Sequence, residues 1–340
     1  MEVLVIVIYG IALLFIFSYS LIQLQLVFNY KKYSRSTETE SFNFKENEWP
    51  KVTVQLPLYN EKYVAERLIE KIVQLDYPAN FLEIQVLDDS TDQTFKIVAK
   101  KVAEISKRAL AEGLKTAKGE FIAIFDADFL PKHDFLKRII PKFKNQSVGM
   151  IQSRWEHLNQ NYSLLTKLQA FGLDAHFSVE QGGRNIGNHF INFNGTAGIW
   201  RKETIYDAGG WQSDTLTEDL DLSYRAQLKG WKFLFLESVG APAELPAAMN
   251  ALKTQQFRWN KGAAECVRKN LWSVLKASDL KFSTKINAIF HLMNSAVFIC
   301  IVVLALLSIP MLYIKENQIE YKWLFNLAVC QFWLISIGLR

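Results

Sequence analysis

Two aspartates one residue apart, Asp126 and Asp128, stand directly after the apolar run Phe121-Ile122-Ala123-Ile124-Phe125. Such a run, with Gly119 before it and Pro131 soon after, reads as a fully buried strand with the carboxylates at its end. Chemistry in α/β sheets collects at those carboxyl ends. Paired carboxylates repel each other unless a cation lies between them, and hard oxygen ligands suit Mg²⁺ or Mn²⁺. The chemistry implied is that of a divalent metal on a phosphorylated substrate. Asp also caps helices and opens turns, so the pair by itself leaves that plainer reading open.

Other polar groups recur in the same kind of place. The stretch Glu83–Leu87 reads as a strand closing on Asp88-Asp89-Ser90-Thr91-Asp92, of which a helix cap accounts for one aspartate but not all. Adjacent parallel strands would bring both acidic turns to one crevice, one group meeting a nucleoside and the other a metal. Phe193-Asn194-Gly195-Thr196-Ala197-Gly198 is either an ordinary tight turn or a backbone that approaches a ligand closely. Thr217-Glu218-Asp219 opens a helix, where Asp219 could be no more than a carboxylate favoured by the helix dipole. In Gln255-Gln256-Phe257-Arg258-Trp259, Gln255 and Trp259 share a helix face; the plain reading is a core aromatic beside a surface cation. A strand followed by Asp-x-Asp also resembles haloacid-dehalogenase-type phosphatases. That family carries Thr or Val two residues after the second Asp, where this chain has Leu130, and it leaves the other motifs unexplained.

The elements that must hold these residues alternate. Val52–Leu56 reads as a strand, followed by the turn Pro57-Leu58-Tyr59-Asn60-Glu61 and a helix through Leu75. A helix follows the Asp88 turn with Ser90 or Thr91 as N-cap, then the strand at Phe121. Beyond Pro131 the pattern predicts a helix over 132–143, a short strand Val148–Gln152, a long amphipathic helix Tyr162–Glu180, a helix from Thr217 to Lys229, a strand Trp231–Leu236 and a helix from near Pro246. Strand, acidic turn and helix in alternation make an α/β, Rossmann-like parallel sheet.

Half of the 340 residues are hydrophobic, which is apolar for an ordinary soluble enzyme, and the excess is concentrated. Residues 3–30 hold no charged side chain, long enough for a tilted membrane helix, and lack the basic start and small-residue end of a signal peptide. Residues 286–314 form a second such run and 323–339 a third of marginal length. Lys31, Lys32 and Arg35 after the first run, with Lys281 and Lys285 before the second, place the middle of the chain in the cytoplasm. The expected division is a membrane helix over 1–30, a basic linker over 31–49, a catalytic domain over 50–267, an interfacial amphipathic segment over 268–285 and two membrane helices over 286–340. A net charge of +5 is modest and suits anionic lipid near the membrane rather than nucleic acid. Cys266, Cys300 and Cys330 have neither pairing nor zinc-ligand spacing.

Taken in order, Asp88-Asp89, Asp126-Ala127-Asp128, Thr217-Glu218-Asp219 and Gln255-Gln256-Phe257-Arg258-Trp259, flanked by membrane helices, resemble the membrane-embedded family 2 glycosyltransferases. The resemblance runs from Pro50 to Lys285. The wording around Gln85–Asp92, Phe193–Gly198 and Leu245-Pro246 is most similar to the cellulose-synthase-like A and C branches, the glucomannan synthase-like group, and their bacterial relatives. It implies a GT-A fold and inverting transfer of a hexose from UDP-glucose or GDP-mannose to a growing β-linked polysaccharide at the cell (inner) membrane, in a multi-pass protein with its catalytic domain cytoplasmic. The alternatives are a non-processive glycolipid-forming enzyme and a catalytically impaired scaffold.

By the same resemblance, Pro57, Tyr59, Asn60, Glu61, Asp88, Asp89, Asp126, Gln255, Gln256 and Arg258 would bind the donor. Asp126 and Asp128 would hold Mg²⁺ or Mn²⁺ as cofactor. Asp219 would be the general base with Glu218 beside it, and Trp259, Asn194, Gly195 and Thr196 would face the acceptor, a polysaccharide or a lipid. One departure is visible. Where the family has Lys-Ala-Gly-Ala-Leu before the Asp-x-Asp strand, this chain has a shortened segment, Lys107-Arg108-Ala109-Leu110-Ala111-Glu112-Gly113-Leu114. Lys107 or Arg108 would have to substitute, or donor binding would be impaired.

Overall fold

The computed structural model describes residues 2–33, 44, 48–109 and 119–317. The first uncharged run is a single helix, α1 (Glu2–Tyr33). The central region then alternates β1 (Val52–Leu58), α2 (Ala65–Val73), β2 (Leu82–Asp88), α3 (Thr94–Ala109), β3 (Phe121–Ile124), α4 (Phe135–Ile139) and β4 (Val148–His157). It continues through α5 (Leu164–Asp174), α6 (Gly182–Ile186), β5 (Gly198–Arg201), α7 (Lys202–Asp207), α8 (Glu218–Leu228) and β6 (Lys232–Ala243). Three long elements close it: α9 (Met249–Lys276), α10 (Phe282–Leu292) and α11 (Ala296–Asn317).

The six strands form one sheet in the order β2-β1-β3-β5-β4-β6. It is mixed rather than wholly parallel, because β5 runs antiparallel to both β3 and β4. The reversal has a use. With Ile124 paired to Gly198, the residues that precede β5 arrive at the same edge of the sheet as those that follow β3. The Asn194 loop is thereby delivered beside Asp126. Helices cover both faces, and the strand interiors are saturated with apolar side chains such as Val54, Leu56, Ala123 and Ile199, all fully buried. Trp200, Phe125, Phe177 and Phe235 are buried as well, each contributing about 1.5–3 kcal/mol of apolar burial.

Several boundaries differ from the sequence reading for local reasons. The strand expected to stop at Gln152 runs on to His157, paired with a long β6 that ends at Ala243 rather than Leu236, with bulges between Val148 and Met150 and between Ser153 and Arg154. The α3 helix starts at Thr94, so neither Ser90 nor Thr91 is its N-cap as expected; the Asp92 carboxylate accepts from the Thr94 N–H (2.8 Å) instead. The helix expected over 132–143 is α4 followed by a 3₁₀ stretch, Ile140–Lys144. The amphipathic helix expected through Glu180 is α-helical only to Asp174, then winds as a π-helix over Ala175–Gln181 before α6. The boundary expected at 267 falls inside α9, and the segment expected to lie on the membrane is the end of α9 plus the start of α10.

Two described segments, Glu2–Lys32 and Phe282–Ile314, are helices long and apolar enough to cross a membrane. They pack together through stacked Phe15 and Phe290 and a hydrogen bond from the Tyr19 hydroxyl to Asn294 Oδ1 (2.8 Å). Leu4, Ile11, Leu14, Phe298, Val302 and Leu306 on their outer faces are exposed, as lipid-facing positions would be. Asn29 and Tyr30, at the end of α1, hydrogen-bond Gly183 and Glu237, which ties that helix to the α/β region. The third run, 323–339, lies outside the described residues.

Candidate active site

A cavity of about 560 Å³ opens where β1, β3, β4 and β6 end and where β5 begins. Asp126 and Asp128 lie on its floor, with Gln55 and Pro57 from β1, Trp155 and His157 from β4, and Glu244 just past β6. Asn194 and Gly195 face it from the loop before β5, Glu218 and Asp219 from the start of α8, and Gln255, Arg258 and Trp259 from α9.

The floor is held rigidly. The Asp126 N–H donates to Thr196 Oγ1 (2.8 Å), and Ala197 N–H donates to the Ile124 carbonyl (2.9 Å). The Gln152 side chain receives the Asn194 N–H and donates to the carbonyls of Ser153, Thr196 and Ala197, so one buried amide pins the whole loop. Gly195 takes φ +80°, and a Cβ there would point at Asp219 Oδ2, 3.4 Å away. The loop is thus a tight turn whose positive φ suits glycine and whose backbone lies close to the Asp219 carboxylate.

A stripe at i, i+4 spacing on α9 sets the opposite wall. Gly262, Cys266, Asn270 and Val274 are its buried residues. A Cβ on Gly262 would lie 2.5 Å from Thr217 Cγ2, so the glycine lets α9 lie directly on the start of α8. Lower down, the fully buried Asp221 receives Asn270 Nδ2 (2.9 Å), Lys269 Nζ (3.0 Å) and the Arg225 guanidinium (2.8 Å). These contacts fix the helix carrying Arg258 and Trp259 against the one carrying Asp219.

Electrostatically the cavity is strongly acidic. Burial, then repulsion from Asp128, Asp219 and Glu218, pushes Asp126 up to about 8, with Arg258 opposing. Burial raises Asp128 to about 6, Glu61 and Glu244 adding to the rise while its own backbone N–H and Arg67 oppose it. Burial raises Asp219 to about 7, against the hydrogen bond that its Oδ1 accepts from the Leu220 N–H (2.8 Å). Carboxylates crowded to this degree call for a cation. Among the described residues no set of three or more His, Cys, Asp and Glu side chains encloses a metal alone. That donor set fits Mg²⁺ or Mn²⁺, which bind through one or two carboxylates and take their remaining ligands from substrate phosphates and water. Asp126 and Asp128 are the residues placed to hold it.

The sequence-expected residues divide into those on the cavity wall and those beside it. Pro57, Asp126, Asp128, Glu218, Asp219, Asn194, Gly195, Gln255, Arg258 and Trp259 line the cavity. Thr196 does not: it is fully buried, and its hydroxyl supports Asp126 from below rather than facing an acceptor. Gln256 lines a neighbouring cavity. Tyr59, Asn60, Glu61, Asp88 and Asp89 do not line the first cavity; they lie in the turn after β1 and at the end of β2. There Asn60, at φ 60°, accepts the Thr91 N–H (2.9 Å) and donates its own N–H to Ser90 Oγ (2.8 Å), joining the first turn to the second. Asp88 Oδ1 accepts the Ser90 N–H, and its buried Oδ2 has no partner among the described residues. The short segment after Ala109 lies outside the described residues through 118. Trp155, His157, Trp211 and Glu244 line the cavity without having been expected; Glu244 stands one residue before the Leu245-Pro246 pair that the sequence does single out.

Comparison with known proteins agrees in kind. The family model described as "Glycosyltransferase like family 2" matches residues 50–262. Glucomannan 4-beta-mannosyltransferase 1 of Oryza sativa subsp. japonica is 36% identical over 295 residues, covering 77% of this chain and 56% of the relative. Glucomannan 4-beta-mannosyltransferase 2 of Arabidopsis thaliana is 40% identical over 265 residues, covering 71% and 50%. The chain therefore spans about half the length of these relatives. In fold it is similar to the mannosyltransferase PcManGT from Pyrobaculum calidifontis, solved with GDP-Man and Mn²⁺, at a TM-score of 0.60 and 18% identity, covering 94% of this chain and 97% of that one.

Proposed function

Because the chain belongs to glycosyltransferase family 2, we propose that it is an inverting, metal-dependent hexosyltransferase that acts at a membrane surface. The observation that carries this reading is the meeting of three carboxylates, Asp126, Asp128 and Asp219, with Arg258 and Trp259 in one acidic cavity. A nucleotide-diphosphate sugar would lie with its diphosphate over Asp126 and Asp128 and its nucleoside toward the Asn60 and Asp88 turns. A bound Mg²⁺ or Mn²⁺ would neutralise charge on the departing diphosphate. Arg258 would add charge-assisted hydrogen bonds to the same phosphates.

The acceptor hydroxyl oxygen attacks the anomeric carbon from the Asp219 side and forms the new C–O bond. The bond to the diphosphate breaks with its electron pair leaving on the nucleotide, and the hydroxyl proton goes to Asp219. A carboxylate raised to about 7 is well matched to taking that proton near neutrality. Trp259 would offer its face to the acceptor.

The names of the plant relatives and the GDP-Man in the archaeal structure support mannose as the hexose. The two apolar helices support membrane association. Lys31, Lys32, Lys281 and Lys285 at their ends support a cytoplasmic catalytic domain in the inner membrane. The product is read as a β-linked polysaccharide. The test is to incubate the purified protein in nanodiscs with radiolabelled GDP-mannose and UDP-glucose and to separate the products. A ladder of lengthening chains from one donor is the expected result, a single glycolipid species would establish the non-processive alternative, and no labelled product from any donor would overturn the reading.

A further inference from the structure

Glu244 lines the active-site cavity yet belongs to none of the sequence motifs that meet there. Its backbone is pinned from both sides. The Ala243 carbonyl accepts the Leu158 N–H (2.9 Å), and Ala243 forms an antiparallel bridge with Phe129, beside which the Pro242 carbonyl accepts the Leu130 N–H (2.8 Å). Continued by one residue, that register sets Glu244 directly opposite Asp128, so the two share a face of the pairing. On the other side, the Asn159 amide accepts the Leu245 N–H (2.8 Å) and donates to the Leu245 carbonyl (2.9 Å). Glu244 thus leaves the sheet on a backbone fixed at both neighbours.

Its side chain is oriented as well. Arg67 Nη1, reaching over from α2, lies 2.7 Å from Glu244 Oε1. The Nε and Nη2 of Arg67 are buried without a partner, so among the described residues this guanidinium has Glu244 as its acceptor and no other. Both charges are felt at Asp128, where burial is the main cause of the raised value, Glu244 adds to it and Arg67 opposes it. Glu244 Oε2 has no hydrogen-bond partner among the described residues, and the side chain keeps 41% of its surface open. An ion pair this exposed contributes about 0–1 kcal/mol to stability. What it achieves is to hold a cavity-lining carboxylate in one orientation with one oxygen free.

The place of that oxygen selects what it meets. A carboxylate accepts hydrogen bonds and donates none, so it repels a diphosphate and takes hydroxyl groups. With a diphosphate over Asp126 and Asp128 and the candidate base Asp219 across the cavity, the hexose lies between them, and Glu244 stands at the Asp128 end. It does not line the neighbouring cavity that contains Gln256 and extends from Asp219 to α10 and α11. The hydroxyl it meets is therefore on the donor.

Resting on the glycosyltransferase reading above, we propose that Glu244 determines donor specificity by accepting a hydrogen bond from a hydroxyl of the donor hexose, and that Arg67 is the residue that positions it. Arg67 also cancels part of the charge that Glu244 would otherwise present to the departing diphosphate.

The experiment uses the full chain in nanodiscs with Mn²⁺ and whichever of GDP-mannose and UDP-glucose it hydrolyses. It measures the donor KM, the inhibition constant of the free nucleotide diphosphate and, by electron paramagnetic resonance without nucleotide, the affinity for Mn²⁺. Glu244→Gln is expected to raise the donor KM about tenfold, the loss of one charge-assisted hydrogen bond, while the free nucleotide and Mn²⁺ bind as in the wild type. An unchanged donor KM overturns the proposal, and so does a parallel weakening of the free nucleotide or of Mn²⁺, which would assign Glu244 to the diphosphate or the metal. Arg67→Ala should show the same split to a smaller degree and Arg67→Lys should restore it; an Arg67→Ala protein with the wild-type KM overturns the positioning role. The monodeoxy analogues of the donor hexose identify the hydroxyl: one of them should lose about tenfold in the wild type and nothing relative to the parent donor in Glu244→Gln. If Glu244→Gln does not fold, the same comparison in Arg67→Ala takes its place, and a penalty undiminished there, or no weakened analogue in the wild type, overturns the proposal. No nucleotide release from any donor would be the failure of the glycosyltransferase reading itself, and this proposal would fall with it.

Discussion

Asp221→Ala tests whether the contact between α8 and α9 is built as described. The wild-type carboxylate is 0% exposed and joins three donors from two helices, Arg225, Lys269 and Asn270. Removing one partner of a buried charged network typically costs about 3–5 kcal/mol, because the remaining charges stay desolvated. Two features move the value to the lower end. Lys269 keeps Asp214 at 2.6 Å and Gln212 at 2.7 Å, and Arg225 keeps the carbonyls of Gly210 (2.9 Å) and Ala208. A loss of about 3 kcal/mol, at about 2–4 °C per kcal/mol for a domain of 150–250 residues, corresponds to about 6–12 °C in Tm. Asp221→Asn keeps a side-chain acceptor for one donor and should fall between the variant and wild type. Differential scanning fluorimetry in detergent reads both. An Asp221→Ala protein that melts with wild type would refute the reasoning, since the charges would then not depend on Asp221 for compensation.

The remaining predictions concern the site. Asp126, Asp128 and Asp219 have folded values of about 8, 6 and 7 against an ordinary 3.8, so the metal-free folded state binds more protons than the unfolded chain between those limits. Their contribution to stability therefore falls as pH rises from about 4 to about 8, and Mn²⁺ should raise Tm more at pH 8 than at pH 5; an equal rise at both would count against a shared carboxylate site. For Glu180 the sign is opposite: its value of about 2 lies below the ordinary 4.5, so its contribution is present above pH 4.5 and is lost as pH falls toward 2. Glu180→Gln should flatten the acid limb of a Tm-against-pH curve, and an unchanged limb would contradict its ion pairs with His176 and Arg184. Gly262→Val would drive a side chain into Thr217, moving Arg258 and Trp259 away from Asp219. It should lower kcat by about a hundredfold, as displacements of about an ångström do, and a variant with wild-type kcat would show that α9 is not positioned there.

The sequence carried most of the site because its chemistry is concentrated in short motifs at strand and helix ends. Asp126, Asp128 and Asp219 are legible only as a set: each alone reads equally well as a turn or helix-start carboxylate, and the ordered succession of motifs singles them out. The antiparallel β5 was not legible: Gly198–Arg201 is only four residues long and its direction depends on its neighbours in the sheet. For the same reason Trp155 and His157 were missed, because the continuation of β4 beyond Gln152 is fixed by pairing with β6 and not by alternation. The resemblance points Thr196 at the acceptor because nothing local shows that its hydroxyl accepts the Asp126 N–H. The π-helix has no sequence mark at all. The α9 stripe did have one, small or polar residues at Gly262, Cys266 and Asn270 four positions apart, and a search for that spacing would have found the α8 contact.

The central claim is tested most directly by nucleotide release from a panel of nucleotide sugars, with and without Mn²⁺ or Mg²⁺, in the wild type, Asp126→Asn and Asp219→Asn. The account predicts release with one donor that requires the metal, is abolished in Asp126→Asn, and in the presence of acceptor falls by about 10²–10⁴ in Asp219→Asn, the usual contribution of a general base. Metal-independent release, or an Asp219→Asn protein as fast as wild type, would contradict it.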